Sequence, residues 1–178
     1  MKMIIVLFLL ISTAAGAEDF RAAEFGMSPQ EVRATEEDAD WESSAEDALA
    51  FETKLSGLDV VAGYIFVDER FFRGVYFMAE EHWNHNDYLR EFEYFNGLLT
   101  KKYGQPKEKK TKWKSDDWKD DPGFALYQSD FSEHWEWETK TTLITHSIYG
   151  KDYKIFHRID YESLEIPDLE EEKILDDL

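Results

Sequence analysis

The sequence predicts an α+β protein in which short helices pack on antiparallel β-sheet. Three observations point there. Two segments carry helix-start or helix-stop signals, and one of them has an apolar stripe at intervals of three and four. Three consecutive apolar or alternating runs are joined by connections too short for anything but hairpins. Aromatic residues make up 16% of the chain and cysteine is absent, so the core must hold without disulfide staples.

In chain order, "MKMIIVLFLLISTAAGAEDF" opens with Lys2, an apolar run and the small residues Ala15-Gly16-Ala17. The run is shorter than the about 20 apolar residues that span a bilayer. It reads as a secretory signal cleaved after Ala17, which makes the mature chain soluble and either periplasmic or secreted. The signal has no cysteine for a lipid anchor. Residues 18–166 are expected to form one α+β domain, and 167–178 an acidic C-terminal tail.

"FGMSPQEVRATEE" follows. Ser28 suits an N-cap, Pro29 the first helical position and Glu31 the third, while Met27 and Val32 stand where a hydrophobic staple needs them. A helix from Pro29 to about Glu37 is expected. Next, "LAFETKL" (49–55) alternates, "VVAGYIFV" (60–67) is apolar on both sides, and "FFRGVYFM" (71–78) returns after Asp68-Glu69-Arg70. These three make an antiparallel meander. In "DYLREFEYFNGLLTKKYG", Leu89, Phe92, Phe95, Leu99 and Tyr103 form one stripe. Asn86 or Asp87 is its expected cap, and Gly104 with Pro106 ends it. A basic strand ("KEKKTKWK"), the loop "SDDWKDDPG" and strands at about 123–131, 133–139, 141–149 and 153–162 complete the chain. The order helix–strands, helix–strands suggests two similar halves.

The formal net charge is −19, and removal of Lys2 with the signal makes it one unit more negative. Such a chain repels phosphate backbones and anionic membrane surfaces, so nucleic acid and membrane insertion are excluded as expected partners. Between acidic ends, residues 101–114 carry seven lysines and one glutamate. That run reads as a solvated basic strand or as a docking patch for an acidic partner.

"FGMSPQEVRA", the "IFVDERFFRGVYFM" meander and the helix end "LLTKKYGQP" resemble small exported bacterial proteins of unassigned role. More distantly, the layout resembles the helix-plus-sheet unit of the small lipoprotein of the outer-membrane β-barrel assembly machine and of β-lactamase inhibitor protein. That resemblance implies protein–protein binding. The chain departs from it in lacking a lipidation cysteine and any disulfide.

No phosphate-binding loop, G-x-S-x-G or H-E-x-x-H occurs, and Cys chemistry is ruled out by absence. His82 and His85, in "EEHWNHND", read as a polar connection ahead of the second helix. His134 reads as part of a solvated outer strand face with Glu136 and Glu138. His146 and His157 fall on half-buried faces of adjacent strands. A turn centred on Lys151-Asp152 would set them directly opposite each other, where they could hydrogen-bond or share a proton or a metal. Trp113, Trp118, Trp135 and Trp137 are candidates for a groove or for the core. The expectation is a binding protein that engages another protein, one with a basic surface, as an inhibitor, immunity or adaptor protein does, with no chemistry or cofactor of its own. The alternative is a periplasmic small-molecule or metal-binding protein using the aromatic and histidine faces. The candidate binding residues are Trp113, Trp118, Trp135, Trp137, His146 and His157.

Overall fold

The computed structural model describes residues 19–41, 43–45 and 47–166. The expected signal (1–17) and tail (167–178) lie outside them. Three helices pack against one antiparallel sheet, as the α+β reading requires: α1 Pro29–Thr35, α2 His85–Tyr103 and α3 Pro122–Tyr127. The strands are β1 Ser43–Ala45, β2 Ala48–Leu55, β3 Leu58–Val67, β4 Arg70–Met78, β5 Glu108–Trp113, β6 Phe131–Glu138, β7 Thr142–Lys151 and β8 Lys154–Ser163.

The sheet order is β1-β2-β3-β4-β8-β7-β6-β5. Each half is therefore a four-stranded meander preceded by a helix, and the last strands of the halves pair, Tyr76 opposite Ile159. The second half has a longer leading helix and an insertion, α3. The turns Ser56-Gly57, Asp68-Glu69 and Asp152-Tyr153 all have positive φ at both central residues. That left-handed pair matches the twist of two-residue hairpins.

Local signals explain the helices. Ser28 accepts from Glu31 N–H while Glu31 returns a carboxylate to Ser28 N–H, and Met27 joins Val32 in the core. α1 nonetheless stops at Thr35, short of the expected end. The cap of α2 is Asn84, two residues before the expected Asn86, so His85 lies in the helix rather than ahead of it. α3 stands where a strand was expected at 123–131. Asp121 caps it and accepts from Phe124 N–H, with Pro122 at the first helical position, the same device as Ser28-Pro29. Asn86 clamps α3 to α2: its Oδ1 accepts from Gly123 N–H and its Nδ2 donates to Asp121. A Cβ at Gly123 would stand 2.5 Å from Asn86 N, and one at Gly150 1.8 Å from the Leu126 carbonyl oxygen. The second half can hold α3 that closely only with glycine at both points.

All three helices lie on one sheet face. Their main cluster holds Val32, Phe51, Tyr64, Phe71, Phe95, Leu99, Trp137 and Ile144. A smaller one joins Phe92, Ala125, Leu126, Phe131 and Ile148. Phe20, from the segment before α1, lies against Gly74 and the rings of Tyr64, Tyr76 and Tyr161. At the far edge, β5 carries Lys109, Lys110 and Lys112; lysine on an edge strand discourages pairing with another chain. The part of the basic run in β5 is therefore the guarded rim of the sheet, while Lys101 and Lys102 lie in the last turn of α2.

A buried histidine–glutamate relay beneath an open cleft

α2 runs across β7 and β8, and two polar residues flank its apolar stripe: Glu91 and Asn96, both buried. They meet His146 of β7 and His157 of β8. The β7–β8 turn centres on Asp152-Tyr153, one residue further along than expected, because both residues adopt positive φ. The register therefore pairs His146 with Ile159 and His157 with Ile148. The two histidines are diagonal rather than opposite, yet their long side chains still reach each other.

Asn96 Oδ1 lies 2.7 Å from His146 Nδ1, and His146 Nε2 lies 2.8 Å from His157 Nε2. His157 Nδ1 is 3.1 Å from Glu91 Oε1, within ion-pair range but outside good hydrogen-bond geometry. Glu91 Oε2 meets His82 Nε2 at 2.9 Å. Five side chains from three elements and one loop thus form a single polar line into the core. His82 is held further by its backbone N–H, which donates to the Tyr88 hydroxyl.

Burial works to raise the Glu91 carboxyl, but its contacts with His157 and His82 outweigh it and hold the group below the usual carboxylate range. For His146 nothing offsets burial. It is enclosed, stacked on Phe92 at 4.2 Å with Phe95 edge-on, and its basicity falls well below the ordinary 6.5.

The line ends at a surface cleft of about 620 Å³, whose inner wall includes His82 and His157. Tyr88, Tyr127 and Tyr153 supply aromatic walls, with His85 stacked on Tyr127 at 4.4 Å. Trp83 stands at the mouth fully exposed, and Tyr153 is 64% exposed. The charged groups there are Glu80, Glu81 and Lys154. Among the described residues, no group of three or more acidic or histidine side chains is placed to hold a metal ion.

The candidate binding residues do not share one surface. Trp137 is core, its indole N–H donating to the Gly104 carbonyl. Trp135 is partly buried under Lys109, whose Nζ sits 3.3 Å from the ring centroid. Trp113 packs on Phe131 at the β5 edge, and Trp118 is 41% exposed against Phe124. His146 and His157 do come together, but inside the relay. His82, expected to be a mere connector, is the relay's outer member. Sequence reasoning missed Glu91 and Asn96, although a carboxylate and an amide beside an apolar helical stripe were the available signal. His134 lies 3.9 Å from Glu136 on the sheet face away from the helices, where it was expected.

The fold and site define an α+β sheet protein with a polar relay under an aromatic cleft. Compared with known proteins, the chain matches no family model, no curated protein and no solved structure.

Proposed function

We propose that this chain is an exported binding protein without chemistry of its own, and that it seats a basic segment of a partner protein in the cleft. One observation carries the reading: a fully exposed Trp83 and an exposed Tyr153 flank a mouth that also bears Glu80 and Glu81. Tryptophan and tyrosine are the residues that most often anchor interfaces, and aromatic faces attract guanidinium and ammonium groups. Two carboxylates against Lys154, on a chain of net charge −19, favour a cationic visitor. No helix among the described residues is long and apolar enough to cross a membrane.

The test is a titration of the protein with hexa-arginine and hexa-glutamate peptides at low salt, followed by tryptophan fluorescence. The arginine peptide should saturate, and Trp83→Ala should weaken it at least about fivefold. No saturable arginine binding would end the proposal, and unchanged affinity in Trp83→Ala would remove the cleft as its seat. Equal affinity for free arginine amide would replace a protein partner with a small organic cation, the second reading that the cleft's aromatic walls support.

A further inference from the structure

The relay from Asn96 to Glu91 has two self-consistent proton arrangements, and they differ by one proton. An imidazole nitrogen either donates or accepts, and a neutral ring does one of each. With Asn96 Oδ1 facing His146, the His146 Nδ1–H donates to it, so Nε2 is bare and must accept from His157 Nε2–H. A neutral His157 then turns a bare Nδ1 toward Glu91 Oε1, 3.1 Å away. Two acceptors would face each other. The contact becomes favourable only if one more proton lies between His157 and Glu91.

The second arrangement follows from a half-turn of the Asn96 amide, which exchanges its oxygen and nitrogen at little steric cost. Nδ2 now donates to His146 Nδ1, His146 Nε2–H donates to His157 Nε2, and His157 Nδ1–H donates to an ionised Glu91. His82 Nε2–H donates to the other carboxylate oxygen. No extra proton is needed. The half-turn also gives a partner to Asn96 Nδ2, which is otherwise buried with none. An unmet carbonyl oxygen, left in its place, is the cheaper defect.

We propose that Asn96, His146, His157 and Glu91 form a binding site for a single proton, and that the Asn96 amide turns over when the proton is taken up. In the empty state the carboxylate is ionised and every hydrogen bond runs toward it. In the loaded state the proton lies between His157 and Glu91, and His146 moves its own proton from Nε2 to Nδ1 while staying neutral. The charged or titratable neighbours are few. α2 contributes Glu91, β8 His157, the connecting loop His82 and β7 His146, while Phe92 and Phe95 close the remaining sides. Exchange with solvent is open through His82 and His157, which line the cleft. The site does not depend on what occupies that cleft.

Nitrogen-15 NMR of the imidazole rings tests it directly. At pH 8, His146 should carry its proton on Nε2 and show a bare Nδ1; at pH 5 the two nitrogens should exchange roles. The Asn96 side-chain amide signals should shift with the same midpoint. Asn96→Asp offers only acceptors, so His146 should then stay protonated on Nδ1 at both pH values. A proton on His146 Nδ1 at pH 8 in the unsubstituted protein overturns the proposal, even if the chain unfolds before pH 5. So does an identical exchange in Asn96→Asp.

Discussion

Lowering the pH should weaken the fold through His146. His146 is enclosed between Phe92, Phe95, Asn96 and His157, and burial, followed by the nearness of a second imidazole in His157, keeps it neutral. Its native pKa lies well below 6.5, so its contribution is complete above 6.5 and drains as pH falls below that value. The unfolded chain takes up a proton that the native ring refuses, which costs about 1.4 kcal/mol per pH unit. From its plateau above pH 6.5 the loss grows to about 1.4 kcal/mol at pH 5.5, about 1 kcal/mol of it between pH 6.5 and 5.5. Glu91 and Glu36, both held below the carboxylate value of 4.5, lose their contribution only nearer that pH. Asp160 and Glu133, pushed up by burial, act in the opposite sense. Comparison with His146→Gln removes the terms of Glu36, Asp160 and Glu133, which lie outside the relay, and the interval above pH 5.5 stays clear of the Glu91 range. Urea unfolding followed by tryptophan fluorescence at pH 7.5, 6.5 and 5.5 gives the stability of both proteins. The advantage of the unsubstituted protein should shrink by about 1 kcal/mol over the lower interval. Parallel pH profiles would refute the claim that His146 is neutral in the fold.

Three other outcomes follow from the packing. Trp137→Ala should cost about 3–5 kcal/mol in urea unfolding, because the indole is fully buried and its N–H loses the Gly104 carbonyl. Glu36→Ala should cost about 1–3 kcal/mol by the same measurement; the carboxylate accepts from Arg21 Nε at 2.7 Å and from the Tyr64 hydroxyl at 2.6 Å, and the fully buried hydroxyl would lose its partner. Replacing Lys110 and Lys112 with threonine should leave the thermal midpoint nearly unchanged but promote self-association in sedimentation velocity, since the β5 edge would lose its charged guard.

Much of the fold is legible along the chain because its signals are local. Ser28-Pro29 with Glu31, the stripe Phe92-Phe95-Leu99 and the alternation of Leu49, Phe51 and Thr53 each span a few residues, and each forms the expected element. α3 carries two local signals in conflict: Asp121-Pro122 repeats the cap of α1, but the apolar "FALY" beside it reads equally well as strand. Ends and registers are set by contacts distant in the chain. Asn84 won the capping position over Asn86 because Asn86 is engaged in clamping α3, a contact 37 residues away in the chain. The turn at Asp152-Tyr153 places a tyrosine at positive φ, which local preference disfavours.

The sequence by itself determined the order of the two helix-and-meander halves, the cap of α1, the aromatic supply of the core and the net charge of −19. Only the tertiary structure decided which polar residues meet. Glu91 and Asn96 sit beside an apolar stripe with no local sign of their partners, and His82, His146 and His157 come from three separate segments. What joins them is the crossing of α2 over β7 and β8, which depends on packing between residues up to 66 positions apart, as between Glu91 and His157. Burial then gives that meeting its chemistry, since the same side chains in water would exchange their hydrogen bonds freely with solvent.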